Sequence, residues 1–135
     1  MTLCDAGPLY ALINKKDPHC TRCREALPRL SLPLLTTLPC FTEAMHLAYS
    51  AGGWRMQDAL WELCERGDLI FHFSSEQELL RMRELMDSYR DTPMDLADAS
   101  IVVAAEMLNQ SVVFTTDSDF YVYRRQGILP FQVII

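Results

Sequence analysis

The sequence predicts an α/β fold in which about five short parallel strands form a central sheet with helices on both faces. Short apolar runs alternate with segments of helical periodicity along the whole chain, which is the pattern of β-α-β units. Such units place their strands in parallel and cover the sheet with crossover helices. A length of 135 residues suits one core, so we expect a single domain over residues 1–135.

The strands are predicted from short apolar runs that are bounded by turn-forming residues. The first ends near Cys4, and the others cover 33–37, 69–73, 112–116 and 131–135. All five runs are short enough to be strands and too short to be buried helices.

The helices are predicted from apolar periodicity and from their end signals. Pro8 suits a first helical turn, Gly67 suits a helix stop, and Ser75 with Glu78 forms a capping-box pattern. The pair Gly52-Gly53 divides two successive helices. The predicted helices cover 8–13, 21–30, 42–51, 54–66, 75–89 and 94–108.

Composition excludes several classes of protein. The net charge of −6 argues against a non-specific nucleic-acid binder, because such proteins are usually basic. No apolar run reaches the ~18–20 residues that span a bilayer, and the first residues do not resemble a signal peptide. Five cysteines, an odd number without framework spacing, argue against a disulfide-stabilised secreted domain. We therefore expect a cytoplasmic protein without a membrane segment.

Four acidic residues stand where this fold would bring them together. Asp5 and Asp117 each follow a predicted strand, Glu43 begins the helix after the second strand, and Asp98 lies within an apolar helix. Carboxylates among residues that favour burial are costly unless they are paired or bind a metal. The carboxyl ends of parallel strands form the usual binding crevice. Since hard cations prefer oxygen ligands, the four predict a site for Mg²⁺ or Mn²⁺.

Three further residues are predicted to support this site. Asp95 precedes Asp98 by three positions, which places both on one helical face. Thr115 precedes Asp117 by two, so both point to the same side if the strand extends that far. Asp119 is predicted to be a turn residue beside Asp117 and not a direct metal ligand. Taken singly, each acidic residue could also be a helix cap or turn former.

These segments together resemble a PIN-domain ribonuclease, specifically the VapC-like toxins of type II toxin–antitoxin pairs. The matching segments begin with Leu3-Cys4-Asp5-Ala6-Gly7-Pro8, continue with Thr42-Glu43-Ala44 and Asp95-Leu96-Ala97-Asp98-Ala99, and end with Thr115-Thr116-Asp117-Ser118-Asp119-Phe120. Each segment alone is weak, but the four occur in order over nearly the whole chain.

The resemblance implies a three-layer PIN-like fold and a metal-dependent endoribonuclease. By matching position, the acidic quartet would be Asp5, Glu43, Asp98 and Asp117, with Thr115 as a supporting hydroxyl and Asp119 as a companion. It also implies Mg²⁺ or Mn²⁺ as cofactor, RNA as substrate, a cognate antitoxin and a homodimer.

Other interpretations stay open. The acidic balance and the apolar helix that carries Trp54 and Trp61 would also suit a catalytically weak PIN fold that binds RNA or a partner protein. A Mg²⁺ phosphatase is less suited, because Gly7 stands where a second aspartate would be needed. Cys20 and Cys23 form one Cys-x-x-Cys pair. A structural zinc site needs about four ligands, and the sequence offers no second pair, so a zinc site is not favoured.

Overall fold

The computed structural model describes residues 1–135 and contains the predicted parallel sheet at its centre. The strands are β1 (Thr2–Cys4), β2 (Leu34–Thr37), β3 (Leu69–His72), β4 (Val112–Phe114), β5 (Arg124–Arg125), β6 (Leu129–Pro130) and β7 (Gln132–Ile134). Five of them form one sheet in the order β3-β2-β1-β4-β7, and all neighbours in it are parallel. The order places β1 in the middle, with later strands added on both sides.

The helices connect these strands much as the sequence predicts. They are α1 (Ala6–Ile13), α2 (Cys20–Ala26), α3 (Leu38–Glu65), α4 (Glu76–Ser88) and α5 (Leu96–Leu108). Short 3₁₀ turns at Leu27–Arg29 and Ser118–Tyr121 follow α2 and β4. The predicted capping box at Ser75 and Glu78 is present at the start of α4.

The helix α3 begins earlier than predicted and is interrupted where predicted. Thr37 caps it by accepting a hydrogen bond from Cys40 N at 3.4 Å, so the helix begins at Leu38 instead of Thr42. Gly53 has φ 65° and ψ −152°, which is not helical. Glycine adopts this conformation without a Cβ clash, so the chain passes from one helix into the next at this residue.

A two-stranded antiparallel hairpin of β5 and β6 was not predicted. Its turn carries positive φ at Gln126 (52°) and Gly127 (75°). Gln-Gly is a weaker hairpin signal than Asn-Gly or Asp-Gly. Glu106 of α5 supports the turn, because its Oε2 accepts a hydrogen bond from Gln126 N at 2.6 Å. The hairpin thus depends on a contact that no local pattern reveals.

The strand β4 is shorter than predicted and ends at Phe114. The predicted alignment of Thr115 with Asp117 required the strand to extend through both residues, and this condition is not met because both lie beyond it. They are joined instead by a turn, in which Asp117 N donates to Thr115 Oγ1 at 3.0 Å.

The helix α5 passes through the core. Every residue from Ala97 to Ala105 is buried, as its nearly uniform apolar sequence predicts. The helix begins at Leu96 instead of Met94, because Asp95 is its N-cap. This arrangement holds Asp98 in the first turn of a buried helix. None of the helices is long and apolar enough to cross a membrane.

Candidate acidic site

A cleft of about 210 Å³ lies beyond the carboxyl ends of β1 and β4. It brings together the whole predicted quartet and one of the predicted supporting residues. The carboxylates that line it are those of Asp5, Glu43, Asp95, Asp98 and Asp117. The crevice position that the parallel sheet predicted is thus where these side chains meet.

Asp5 stands at the end of the central strand and is 7% exposed. One carboxylate oxygen accepts from Ala6 N at 2.8 Å, which caps α1. The other accepts from Thr115 Oγ1 at 2.9 Å. Hydrogen bonds within the protein therefore orient both carboxylate oxygens of Asp5.

Asp98 and Asp95 form a reciprocal capping box at the start of α5. Asp98 N donates to Asp95 Oδ1 at 2.8 Å, and Asp95 N donates to Asp98 Oδ2 at 3.3 Å. The hydroxyl of the fully buried Tyr123 lies 3.3 Å from Asp98 Oδ2 and 3.1 Å from the carbonyl oxygen of Pro93. Asp98 is thus fixed by its own helix and by a residue near the end of the chain.

Asp117 is held by a short turn after β4. Its N–H donates to Thr115 Oγ1, and one of its carboxylate oxygens accepts from Asp119 N at 2.9 Å. Thr115 therefore connects Asp5 to the Asp117 turn through one buried hydroxyl. The carboxylate of Asp119 does not line the cleft, so Asp119 contributes through its backbone.

Glu43 is the least enclosed member of the quartet. It lies on the first part of α3 and is exposed. Partial burial and the negative charges of Asp95, Asp5 and Asp117 raise its pKa. The side chain reaches the same cleft as the others, although no hydrogen bond fixes it there.

Negative charge is concentrated in the cleft. Burial is the main cause of the raised pKa of Asp5, and the Asp117 charge adds to it. Burial also raises the pKa of Asp98 to about 8, with added repulsion from Asp95 and Asp5. Such shifts are expected where like charges share a site without a cation.

The donor set consists of oxygen atoms alone, which are the ligands that Mg²⁺ and Mn²⁺ prefer. No three of the acidic, histidine or cysteine side chains converge into a preformed metal-binding group. Mg²⁺ commonly keeps several waters and binds proteins through one or two carboxylates, so a spaced set of this kind fits such an ion. The residues that would hold it are Asp5, Glu43, Asp98 and Asp117.

The interpretation of these acidic residues as helix caps is confirmed for three of them. Asp5, Asp95 and Asp117 are the N-caps of α1, α5 and the second 3₁₀ turn. They line the cleft as well, because a cap after a parallel strand lies at the crevice edge. Capping explains the backbone hydrogen bonds of these side chains but leaves the crowding of their charges unexplained.

Two residues beside the site were missed in the sequence. Tyr123 comes 25 residues after Asp98, and nothing local links them. The buried thiol of Cys40 lies 3.5 Å from Asp5 Oδ1, and these residues are 35 positions apart. The only available signal was that both occur in the loops or first turns that follow predicted strands. Cys20 and Cys23 are buried and unpaired.

The Thr116 side chain packs directly against Gly7 at the cleft, where no other residue would leave enough space. A Cβ at Gly7 would overlap Thr116 Oγ1, which belongs to a residue that lines the cleft. We expect Gly7→Ala to destabilise the protein by about 1–3 kcal/mol, the usual cost of overpacking. Urea denaturation measures this change. The double variant Gly7→Ala/Thr116→Ala should recover most of the loss, and equal stability of Gly7→Ala and wild type would contradict the close approach.

Comparison with known proteins supports the fold alone. No family model and no curated protein matches the chain by sequence. Among solved structures, it is similar to Mycobacterium tuberculosis VapC20, described as a sarcin-ricin loop cleaving toxin, with a TM-score of 0.83 at 13% sequence identity. The match covers 90% of this chain and 94% of that one. The predicted three-layer PIN-like fold is thereby confirmed, and this chain has the fold of a VapC toxin.

Proposed function

We propose that this protein is a metal-dependent endoribonuclease that hydrolyses RNA phosphodiester bonds, and that it is the toxin of a toxin–antitoxin pair. The observation that carries the proposal is the cleft in which all four predicted carboxylates meet at the carboxyl ends of β1 and β4. The similarity in fold to VapC20, which is described as a sarcin-ricin loop cleaving toxin, supports the same proposal. A fold alone would not be sufficient, since one fold serves many functions.

The chain's own side chains supply the positioning. The Thr115 hydroxyl and Ala6 N orient the two oxygens of Asp5, and the capping box with Asp95 orients Asp98. When bound, Mg²⁺ or Mn²⁺ would neutralise the negative charge that develops on the phosphodiester. Burial and the charges of Asp95 and Asp5 raise the pKa of Asp98 to about 8, and a bound cation would favour its charged form. In the net reaction the oxygen of one water bonds to phosphorus, the P–O bond to the leaving oxygen breaks, and that oxygen takes a proton from the water.

We also propose a cognate antitoxin and a homodimer as partners. Several large apolar side chains are exposed on α3, among them Trp54 at 62% and Trp61 at 45%. Exposed aromatic residues on one helix suit a protein partner. The antitoxin would be identified by co-purification from the source cell, and the dimer by its mass in solution.

A second candidate is a PIN fold that binds RNA or a partner without cleavage. It is favoured by the exposed aromatic side chains of Trp54 and Trp61 on α3, which suit a binding surface. Binding of RNA or of a partner is compatible with both candidates, but only the nuclease predicts new RNA ends that depend on a divalent metal.

Cleavage of a mixed pool of structured RNA and tRNA tests the proposal. The purified protein is incubated with Mn²⁺, with Mg²⁺ and with EDTA, alongside Asp5→Asn and the matched control Asp91→Asn. Asp91 is exposed and lies outside the cleft. We expect metal-dependent cuts that Asp5→Asn reduces by more than about 100-fold, since even partners of a ligand cost 10–100-fold.

Full metal-dependent cleavage by Asp5→Asn would overturn the assignment of the site. Binding of the pool without cuts under any metal would favour the binding module.

A further inference from the structure

A second pocket, of about 190 Å³, lies beside the acidic cleft and shares two residues with it, Thr116 and Asp117. Its opposite wall comes from the start of α2, where His19 and Arg22 lie. Ser118 and Tyr121 of the 3₁₀ turn after β4 complete the polar part of the lining. A pocket with one cationic side chain, Arg22, on its outer wall is therefore directly continuous with the acidic cleft, and the two share the Asp117 carboxylate.

Two polar side chains on the α2 side of this pocket, those of Arg22 and His19, make no hydrogen bond or ion pair within the chain, whereas Thr115 and Asp117 on the other side are hydrogen-bonded. Arg22 is exposed and takes part in none of the ion pairs of the chain, although the net charge is −6. His19 is the residue before α2, and its side chain makes no capping hydrogen bond there. An arginine without an ion pair in an acidic protein has its five donors available for an anion.

The chemistry and size of the pocket suit a phosphate. Guanidinium, imidazole and hydroxyl groups are the usual side-chain partners of phosphate oxygens. The volume corresponds to about six water molecules at about 30 Å³ each, and it is smaller than the 300–1,000 Å³ typical of small-molecule sites. It therefore accommodates a charged group with a few waters better than a whole nucleoside.

Tyr121 adds an aromatic surface at the edge of the pocket. It is 60% exposed, and its ring is not among the stacked or edge-to-face aromatic pairs of the chain. An exposed aromatic ring near an arginine is a common stacking surface for an unpaired base.

We propose that the pocket of His19, Arg22 and Ser118 binds the phosphate of the nucleotide next to the cleaved bond, on Arg22, and that the base of this nucleotide stacks outside the pocket on the exposed ring of Tyr121. The proposal rests on the proposed function, because the neighbouring acidic cleft is taken to hold the phosphodiester that is cut. It names the substrate as RNA with an unpaired nucleotide at that position, since a base in a continuous helix could not stack on a side chain.

The test measures binding of a fluorescein-labelled random-sequence single-stranded RNA by anisotropy as a function of salt and with Mg²⁺ held constant. Asp98→Asn serves as the parent protein so that the RNA stays intact. Arg22→Ala is expected to weaken binding and to reduce the slope of log K against log[salt] by about 0.7, the value for one phosphate contact on a single strand. Tyr121→Ala is expected to weaken binding about tenfold or more at an unchanged slope, because stacking releases no counterion.

Arg83→Ala is the matched control, since Arg83 is exposed on α4 and lines neither pocket. It removes the same charge, so it should leave the slope unchanged. If Arg22→Ala changes the slope no more than Arg83→Ala does, the phosphate assignment is wrong. If Tyr121→Ala binds like the parent, the base assignment is wrong.

The failures of the two proposals are distinguishable. If the wild-type protein cuts the RNA pool but Arg22→Ala keeps the salt slope of the parent, the nuclease proposal stands and only the proposed phosphate subsite is wrong. A parent protein that does not bind RNA at any salt concentration would overturn both.

Discussion

Replacing Asp98 with asparagine is expected to abolish RNA cleavage while making the metal-free protein more stable at pH 8. Asp98 is 8% exposed, and burial and neighbouring charges raise the pKa of its carboxyl to about 8. A group whose pKa is raised on folding contributes stability below its unfolded pKa, near 4, and loses that contribution as the pH rises towards 8. Asparagine does not titrate, so the variant avoids this loss.

The measurement is the melting temperature in EDTA between about pH 5 and pH 8. We expect the wild type to lose stability across this range and Asp98→Asn to melt about 3–6 °C higher than wild type at pH 8. Mn²⁺ should raise the melting temperature of the wild type more than that of the variant, because a bound ion stabilises the folded state. Asp91→Asn, at an exposed position, should follow the wild type. Parallel pH profiles of wild type and Asp98→Asn would show that the buried charge is tolerated without cost.

Thr115→Val is expected to destabilise the protein by about 1–3 kcal/mol and to reduce cleavage by about 10–100-fold. The hydroxyl of Thr115 is buried, donates to Asp5 Oδ2 at 2.9 Å and accepts from Asp117 N at 3.0 Å. Valine has nearly the same shape, so the change removes two hydrogen bonds with little loss of packing. Asp5 would then lose one of the contacts that orient its carboxylate.

Thr36→Val separates the loss of stability from the loss of activity. Thr36 is also fully buried on a strand of the same sheet, and its hydroxyl donates to the Cys4 carbonyl at 2.9 Å, outside the cleft. We expect this variant to be destabilised to a similar degree in urea denaturation and to keep its cleavage rate. Thr115→Ser should restore most of the activity. Equal activity of Thr115→Val and wild type would show that the hydroxyl has only a structural role.

The sequence predicted the sheet well, because each strand is a short apolar run between clear turn signals. It predicted helix ends less well where the cap was not recognised. Thr37 and Asp95 both act as N-caps, and each changes the start of its helix by two to four residues relative to the prediction. The hairpin at Gln126 escaped prediction because its turn is supported by Glu106, which is 20 residues away in the chain.

The acidic quartet was predictable because each member follows a strand or begins a helix, and these positions meet at one edge of a parallel sheet. The contacts that hold the quartet were not predictable. The Tyr123 hydroxyl contacts the Asp98 carboxylate, and the Cys40 thiol in α3 contacts the Asp5 carboxylate at the start of α1. These contacts follow from tertiary packing and leave no periodic signal.

The hydrogen bond between Thr115 and Asp5 joins residues 110 positions apart. The central strand β1 is synthesised before its neighbour β4, and two other strands of the sheet lie between them in the sequence. Domains generally fold as units during synthesis, so the cleft cannot close around Asp5 until Thr115 and Asp117 have emerged from the ribosome. A nascent chain that extends only as far as β3 therefore lacks the assembled cleft and, with it, the proposed activity.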